Sequence, residues 1–331
     1  MDKVGLSERE IIEALRKRFD FRPMLPLGFE EDVAAYYLSP QKLVVLKTDM
    51  LVGSTDVPPG MTLRQAARKA VVATVSDFAA KGVRPKALLV SLGLTSPVRR
   101  TMVVELGQGL SQGAREYGCR IIGGDTSESN DLIIDCIGFG LAKFQGILRR
   151  DGARPGDIIA VTGDFGKTSA GLRVLLSRKQ ELAEKFAKLV HSVLHPVARL
   201  EIGLKLARTR SVSSSIDSSD GLSWSLHEIA RLSQVSIALE TIPVAPEVRV
   251  FAKQRGLVPE ALALFGGEEY ELVLAIKKGR FEGVRRDIPS LRRIGIVKSG
   301  SGDVIASFGG KTRKVDPHGY EHFTYNVTVR S

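Results

Sequence analysis

Eight short apolar runs punctuate the chain, and the stretches between them carry apolar residues at helical rather than strand spacing. LVVLKTD (43–49), KALLVSLGL (86–94), CRIIGG (119–124) and LIIDCIGFGLA (132–142) occupy the first half. IIAVTG (158–163), SIALETI (236–242), ELVLAI (271–276) and RRIGIV (292–297) follow in the second. Runs this short and this rich in Val, Ile and Leu suit buried strands, and their alternation with amphipathic segments predicts a mixed α/β (α+β) fold. Helices are expected over 8–19, 62–82, 98–117, from about 168, over 181–192, 197–208 and 222–233, with Thr62 as an N-cap and Gly82 as a stop. SSSIDSSDGL (213–222) reads as a loop. A basic Gly/Pro-rich turn, RRDGARPGD (149–157), interrupts the pattern, so a domain boundary is placed at about residue 147, giving units 1–147 and 148–331. With 331 residues, 43% of them hydrophobic, two domains of ordinary size are within reach.

Several function classes fall away. No apolar run has the length of a membrane span, and the N-terminus, MDKVGLSEREIIEALRKRF, is charged and amphipathic without a signal-peptide core, so a cytoplasmic protein is expected. The net charge of +11 raises nucleic acid as a partner and, equally, an anionic small molecule. The basic residues are scattered and aromatics make up only 6%, which disfavours stacking platforms for nucleic acid. Cys119 and Cys136 sit in strand-like apolar surroundings and read as small buried hydrophobes. His191/His195 and His318/His322 are spaced i,i+4, but neither pair reads HExxH and no cysteine pair completes a zinc set.

Acids in apolar surroundings carry the functional signal. On the helix expected over 62–82, Leu63, Ala66, Ala67, Ala70, Val71, Thr74 and Phe78 gather on one face and Arg64, Gln65, Arg68, Lys69 and Ser76 on the other. Asp77 falls inside the apolar arc near the helix C-terminus, where the dipole disfavours negative charge; it needs a cation or several donors, unless the last turn frays and lets it reach solvent. Asp49 ends an apolar run, Asp125 follows IIGG, Asp32 closes GFEED, and Asp217 and Asp220 flank a Ser-rich approach to a helix. Each has a plain structural reading: Asp220 as a helix cap, Asp125 as a turn residue. If all six met within about 6 Å, each pair would repel by about 3 kcal/mol at an effective dielectric near 20. Hard divalent cations resolve such crowding, and Mg²⁺ in particular binds a few carboxylates together with substrate phosphates.

VTGDFGKTSAG (161–171) looks like a P-loop, but the required spacing would put a glycine where Val161 stands. Its glycines either shape a strand-to-helix turn whose amides receive an anion or serve turn geometry alone.

Taken in order, GFEEDVA, KTDML, ATVSDFAAKG, IIGGDTS, LRRDGARPGD, VTGDFGKTSAGL, SSIDSSDGL, FGGEEYEL and GYEHF resemble the successive signature blocks of the thiamine-monophosphate kinase family. That family belongs to the superfamily of ATP-using enzymes that includes aminoimidazole ribonucleotide synthetase and selenophosphate synthetase. The blocks run from about residue 28 to 323. The resemblance implies a two-domain aminoimidazole ribonucleotide synthetase-like fold, with N-terminal sheets pairing across a homodimer. It implies direct in-line transfer of the ATP γ-phosphoryl group to thiamine monophosphate, with several Mg²⁺ ions. It also implies Asp32, Thr48, Asp49, Asp77, Asp125, Asp217 and Asp220 as metal ligands, and Gly124, Asp125, Arg150 and Ser219 at ATP. Asp56, Glu268 and Tyr320 fall at the thiamine-phosphate positions, and Asp77, Asp125, Arg150 and Asp217 carry the catalytic role.

The chain departs from the family pattern at three places. Glu31 replaces the first acid of an Asp-Asp pair, Glu269 replaces an Asp in GGEDYEL, and Asp56 stands where histidine is common in the substrate site. The last change leaves open a related kinase or synthetase of the same superfamily acting on another phosphorylated metabolite. Residues 1–40 lack the reactive cysteine usual in selenophosphate synthetase.

Overall fold

The computed structural model describes residues 5–19, 25–308 and 311–323. Two sheets organise them. The first takes β1 (Ala34–Ser39), β2 (Lys42–Val52), β3 (Pro85–Leu94), β4 (Arg120–Glu128) and β5 (Ile133–Lys143) in the order β1-β2-β5-β3-β4. All neighbours are antiparallel except β3 and β4. The second takes β6 (Ile158–Val161), β7 (Val212–Asp217), β8 (Ser236–Leu239), β9 (Leu272–Ile276), β10 (Arg292–Lys298), β11 (Val304–Phe308) and β12 (Lys311–Lys314) in the order β12-β11-β8-β10-β6-β9-β7.

The helices, in chain order, begin with α1 (Glu8–Arg16), the single turn α2 (Gly53–Asp56), α3 (Leu63–Ala80) and α4 (Arg100–Glu116). They continue with α5 (Lys167–Leu176), α6 (Gln180–Lys185), α7 (Ala187–Leu194), α8 (Leu200–Thr209) and α9 (Leu222–Ser233). The expected helix over 181–192 is split in two at Phe186, which turns inward to meet Phe251 edge-on, with ring centroids 5.1 Å apart. The SSSIDSSDGL segment is not all loop: its first half is β7, an edge strand on β9, and only residues after Asp217 form the turn. No helix among the described residues is long and apolar enough to cross a membrane.

Helix α3 organises the interior. Thr62 caps it reciprocally with Gln65, as its sequence predicts. The expected two-faced character fails, because fourteen of its eighteen residues are buried, Arg68, Lys69 and Ser76 included. The reason is its position: β2 and β5 cover one side, and α4, α8 and β7 cover others. One apolar cluster accordingly runs from Leu51, Val71 and Leu88 to Leu206, Leu272 and Ile276, joining residues before and after position 147. The charges carried by α3 therefore had to find partners inside the protein.

Candidate active site

Asp77 does not escape through a frayed turn. Helix α3 continues past it to Ala80, its side chain is buried, and Lys47 from β2 places Nζ 2.9 Å from Asp77 Oδ2. Burial, aided by Asp217, Asp49 and Asp32, pushes the Asp77 carboxyl well above the usual range despite that ammonium. Asp217 closes β7 at the same spot and accepts a 2.7 Å hydrogen bond from Ser76 Oγ; burial and the charge of Asp32 raise it to about 7. Asp32 behaves oppositely. Burial would raise it, yet Arg150 and Lys81 outweigh burial and hold it at about 2.

Oxygens of Asp32, Asp77 and Asp217 lie within 4.8 Å of one another. Arg150 hydrogen-bonds Asp32 Oδ1, whereas the buried Oδ2 has no well-aligned hydrogen-bond donor among the described residues and is ion-paired with Lys81 Nζ at 2.6 Å. Three convergent carboxylates with an oxygen left short of donors make a donor set of the hard type that Mg²⁺ prefers. Asp77 and Asp217 of the cluster line a cleft of about 280 Å³, together with Asp49, Arg150, Ser219 and Asp220. Asp49 is raised by burial, and Asp220 is raised to about 6 by burial and Glu8.

Strand pleat divides the remaining predicted residues. Across the first sheet Asp49 registers with Cys136, Val90 and Gly124, a row whose Cys136 and Val90 are buried toward α3. Met50 registers with Asp135, Ser91 and Asp125, one residue out of phase, so that row faces away from α3. Thr48 shares this outer face and donates a 2.7 Å hydrogen bond to Asp135 Oδ1. Thr48 and Asp125 are thus on the opposite side of the sheet from the Asp32–Asp77–Asp217 cluster. Asp125 also lies within β4 rather than at its end, and β4 is an exposed edge strand, not the buried one its Ile-Ile pair suggested. Gly124 is also required by the sheet itself, since a Cβ there would collide with the Val90 carbonyl of β3.

Asp56, Glu268 and Tyr320 come together at the rim of the cleft. Asp56 ends α2 and accepts a 2.7 Å hydrogen bond from Val52 N, which ties its carboxylate to the turn. Lys69, buried on α3, reaches Glu268 Oε1 at 2.5 Å and the Asp56 carbonyl at 2.8 Å. Glu8 of α1 enters the same cleft, and the C-terminal segment is tied to it through a His322 N–H donated to Glu8 Oε2.

The glycine turn before α5 receives a carboxyl group, and that group belongs to the chain. Thr168 N donates to Glu269 Oε1 at 3.1 Å, and burial raises that carboxyl to about 7. The α5 N-terminus is therefore occupied by Glu269 and not held open for a ligand.

Three lysines escaped the sequence reading: Lys47, Lys69 and Lys81. A signal existed for two of them. Lys47 is two residues before Asp49, hence on the same strand face, and Lys81 follows Asp77 by four, hence on the same side of α3. Lys81 in fact turns to Glu31 and Asp32, with the Ser215 carbonyl as its third partner. Glu31 accepts the Arg150 amide as well, at 3.0 Å, so the longer acid is built into the site.

Residues 30–142 match the family model described as AIR synthase related protein, N-terminal domain. The thiamine-monophosphate kinase of Nitrosopumilus maritimus is 37% identical over 96% of this chain and 99% of its own length. That of Pyrococcus abyssi is 34% identical over 98% of this chain and 99% of its own. A solved structure of AaThiL complexed with AMPPCP and TMP superposes with a TM-score of 0.85 at 29% identity, covering 98% of this chain and 100% of that one.

Proposed function

The chain belongs to the thiamine-monophosphate kinase family, and on that premise we propose that it transfers the γ-phosphoryl group of ATP directly, in line, to the phosphate of thiamine monophosphate, yielding thiamine diphosphate and ADP. It is an ATP-dependent phosphotransferase of the aminoimidazole ribonucleotide synthetase-like fold. The observation that carries the proposal is the meeting of Asp77 and Asp217, with Asp32 within reach of both, in a cleft that Asp56, Glu268 and Tyr320 also line.

The acceptor needs no general base. A phosphate monoester has a second pKa of about 6, so at neutral pH it is already mostly a nucleophilic dianion. The obstacle is repulsion between two polyanions, and catalysis reduces to alignment and charge. Mg²⁺ ions held by Asp32, Asp49, Asp77, Asp217 and Asp220 would supply charge neutralisation for the triphosphate. Arg150 lines the cleft while anchored on Asp32, so its guanidinium is positioned beside the phosphates without being free to wander. Ser219, exposed at the rim, offers a hydroxyl to the nucleotide. Asp56, Glu268 and Tyr320 surround the acceptor, whose thiazolium charge suits two carboxylates and an aromatic ring.

Thr48 and Asp125, on the outer face, together with the Gly124 backbone next to Asp125 in β4, join the site across a homodimer in this reading. β4 favours it: an exposed strand of nine residues with Ile121 and Ile122 on a sheet edge needs a cover. The 1–147 unit would then bind ATP and Mg²⁺ and dimerise, with 148–331 completing the site. Purified protein incubated with ATP, Mg²⁺ and a panel of phosphorylated acceptors tests the proposal. Thiamine diphosphate and ADP in equal amounts are expected; turnover of another acceptor with none of thiamine monophosphate refutes it.

A further inference from the structure

Two of the lysines on the acid cluster differ in freedom. Lys81 has no exposed side-chain surface and is caged by Glu31, Asp32 and the Ser215 carbonyl. Lys47 also pairs with a cluster acid, but a quarter of its side chain is exposed and it borders the open cleft. Besides Asp77, the carboxylates of Asp49 and Asp217 act on its ammonium. The first lysine is sealed in place. The second, on a flexible four-carbon stem beside open space, is able to turn away.

We propose that Lys47 is a displaceable counter-ion. In the free protein its ammonium occupies the cation position beside Asp77, and it leaves that position for nucleotide phosphate, so that one side chain couples divalent-metal binding to nucleotide binding. The inference rests on the kinase reading of the cleft. An ammonium 2.9 Å from Asp77 Oδ2 stands where a metal ligated by that oxygen would feel it most strongly. Metal alone must push the lysine into a cleft that already contains Arg150, another cation. With a triphosphate present the displaced ammonium gains an anionic partner, and the same movement becomes favourable. Linkage makes the effect mutual: whatever nucleotide does to metal affinity, metal does to nucleotide affinity.

Mn²⁺ is the probe, with the free ion quantified by electron paramagnetic resonance against the full chain, with and without a non-hydrolysable ATP analogue. Lys47→Met, Lys47→Gln and Lys47→Arg are compared with the unaltered protein, and circular dichroism confirms their fold. Without nucleotide, Lys47→Met is expected to bind Mn²⁺ about tenfold tighter, a coupling of ordinary size, while Lys47→Arg stays near the unaltered protein. The analogue should tighten Mn²⁺ binding less in Lys47→Met than in the unaltered chain; comparing proteins cancels the analogue's own affinity for Mn²⁺. If Lys47→Met does not fold, Lys47→Gln carries the same expectation. Equal or weaker Mn²⁺ binding by the neutral variant overturns the inference and leaves the kinase reading standing. Absence of Mn²⁺ binding by every protein, nucleotide included, overturns both.

Discussion

Lys81→Met removes a cation from the least accessible place in the site. The lysine side chain is fully buried, and those of Glu31 and Asp32 retain 4% and 0% exposure, so water cannot replace the lost charge. Methionine keeps most of the volume, which confines the effect to electrostatics. Breaking a buried pair by removing one partner costs about 3–5 kcal/mol. A second, independent figure comes from Asp32, whose carboxyl is lowered from 3.8 to about 2 by Arg150 and Lys81 against the opposing effect of burial. At about 1.4 kcal/mol per pH unit, that difference is on the order of 2–3 kcal/mol of native stability for Asp32, shared between Arg150 and Lys81. A depressed carboxyl contributes fully above its unfolded value and loses the contribution as pH falls through its folded one, here between about pH 4 and 2. Urea unfolding at pH 7 should therefore show a loss of about 3–5 kcal/mol in Lys81→Met, and the fall in stability between about pH 4 and 2 should be shallower in the variant than in the parent, because Asp32 without Lys81 keeps less of its depression. Added Mg²⁺ should restore part of the loss, because a ligand that binds only the native state stabilises it. A loss below about 1 kcal/mol would refute the argument, since it would mean that Glu31 and Asp32 do not depend on this ammonium.

Asp77→Asn should lower turnover by at least about a hundredfold with an unchanged circular dichroism spectrum, because an amide is a poor Mg²⁺ ligand in a site that relies on charge. Asp125→Asn should do the same, and sedimentation of the unaltered protein should show a dimer, if the outer face completes the site. Gly124→Ala should cost at least about 2 kcal/mol in urea unfolding, since the new methyl meets the Val90 carbonyl of a paired strand. Glu269 has a folded value raised from 4.5 to about 7, so the native state holds a proton that the unfolded chain releases, and stability falls as pH rises between those values. Melting curves from pH 5 to 8 should show that fall in the parent and a flatter profile in Glu269→Gln.

Features set by near neighbours in the chain were legible in the sequence. Thr62 caps α3 and Gly82 ends it, α9 spans the expected 222–233, and the acids of GFEED, TVSD and SSID do meet. Such features depend on neighbours a few residues away, or on the cost of leaving a carboxylate in apolar surroundings, and both are visible in a string of letters. Other features required the assembled protein. Whether Lys69 and Ser76 face water depends on what packs around α3, and α3 is covered on several sides by elements far away in sequence. Which carboxylates share a face with Asp49 depends on strand register, where a shift of one residue exchanges the two sides, and no local pattern states the register. The chain by itself determined that its buried acids need cations; only tertiary structure decided which cations are its own, because Lys47, Lys69 and Lys81 find their carboxylates through contacts that sequence separation conceals.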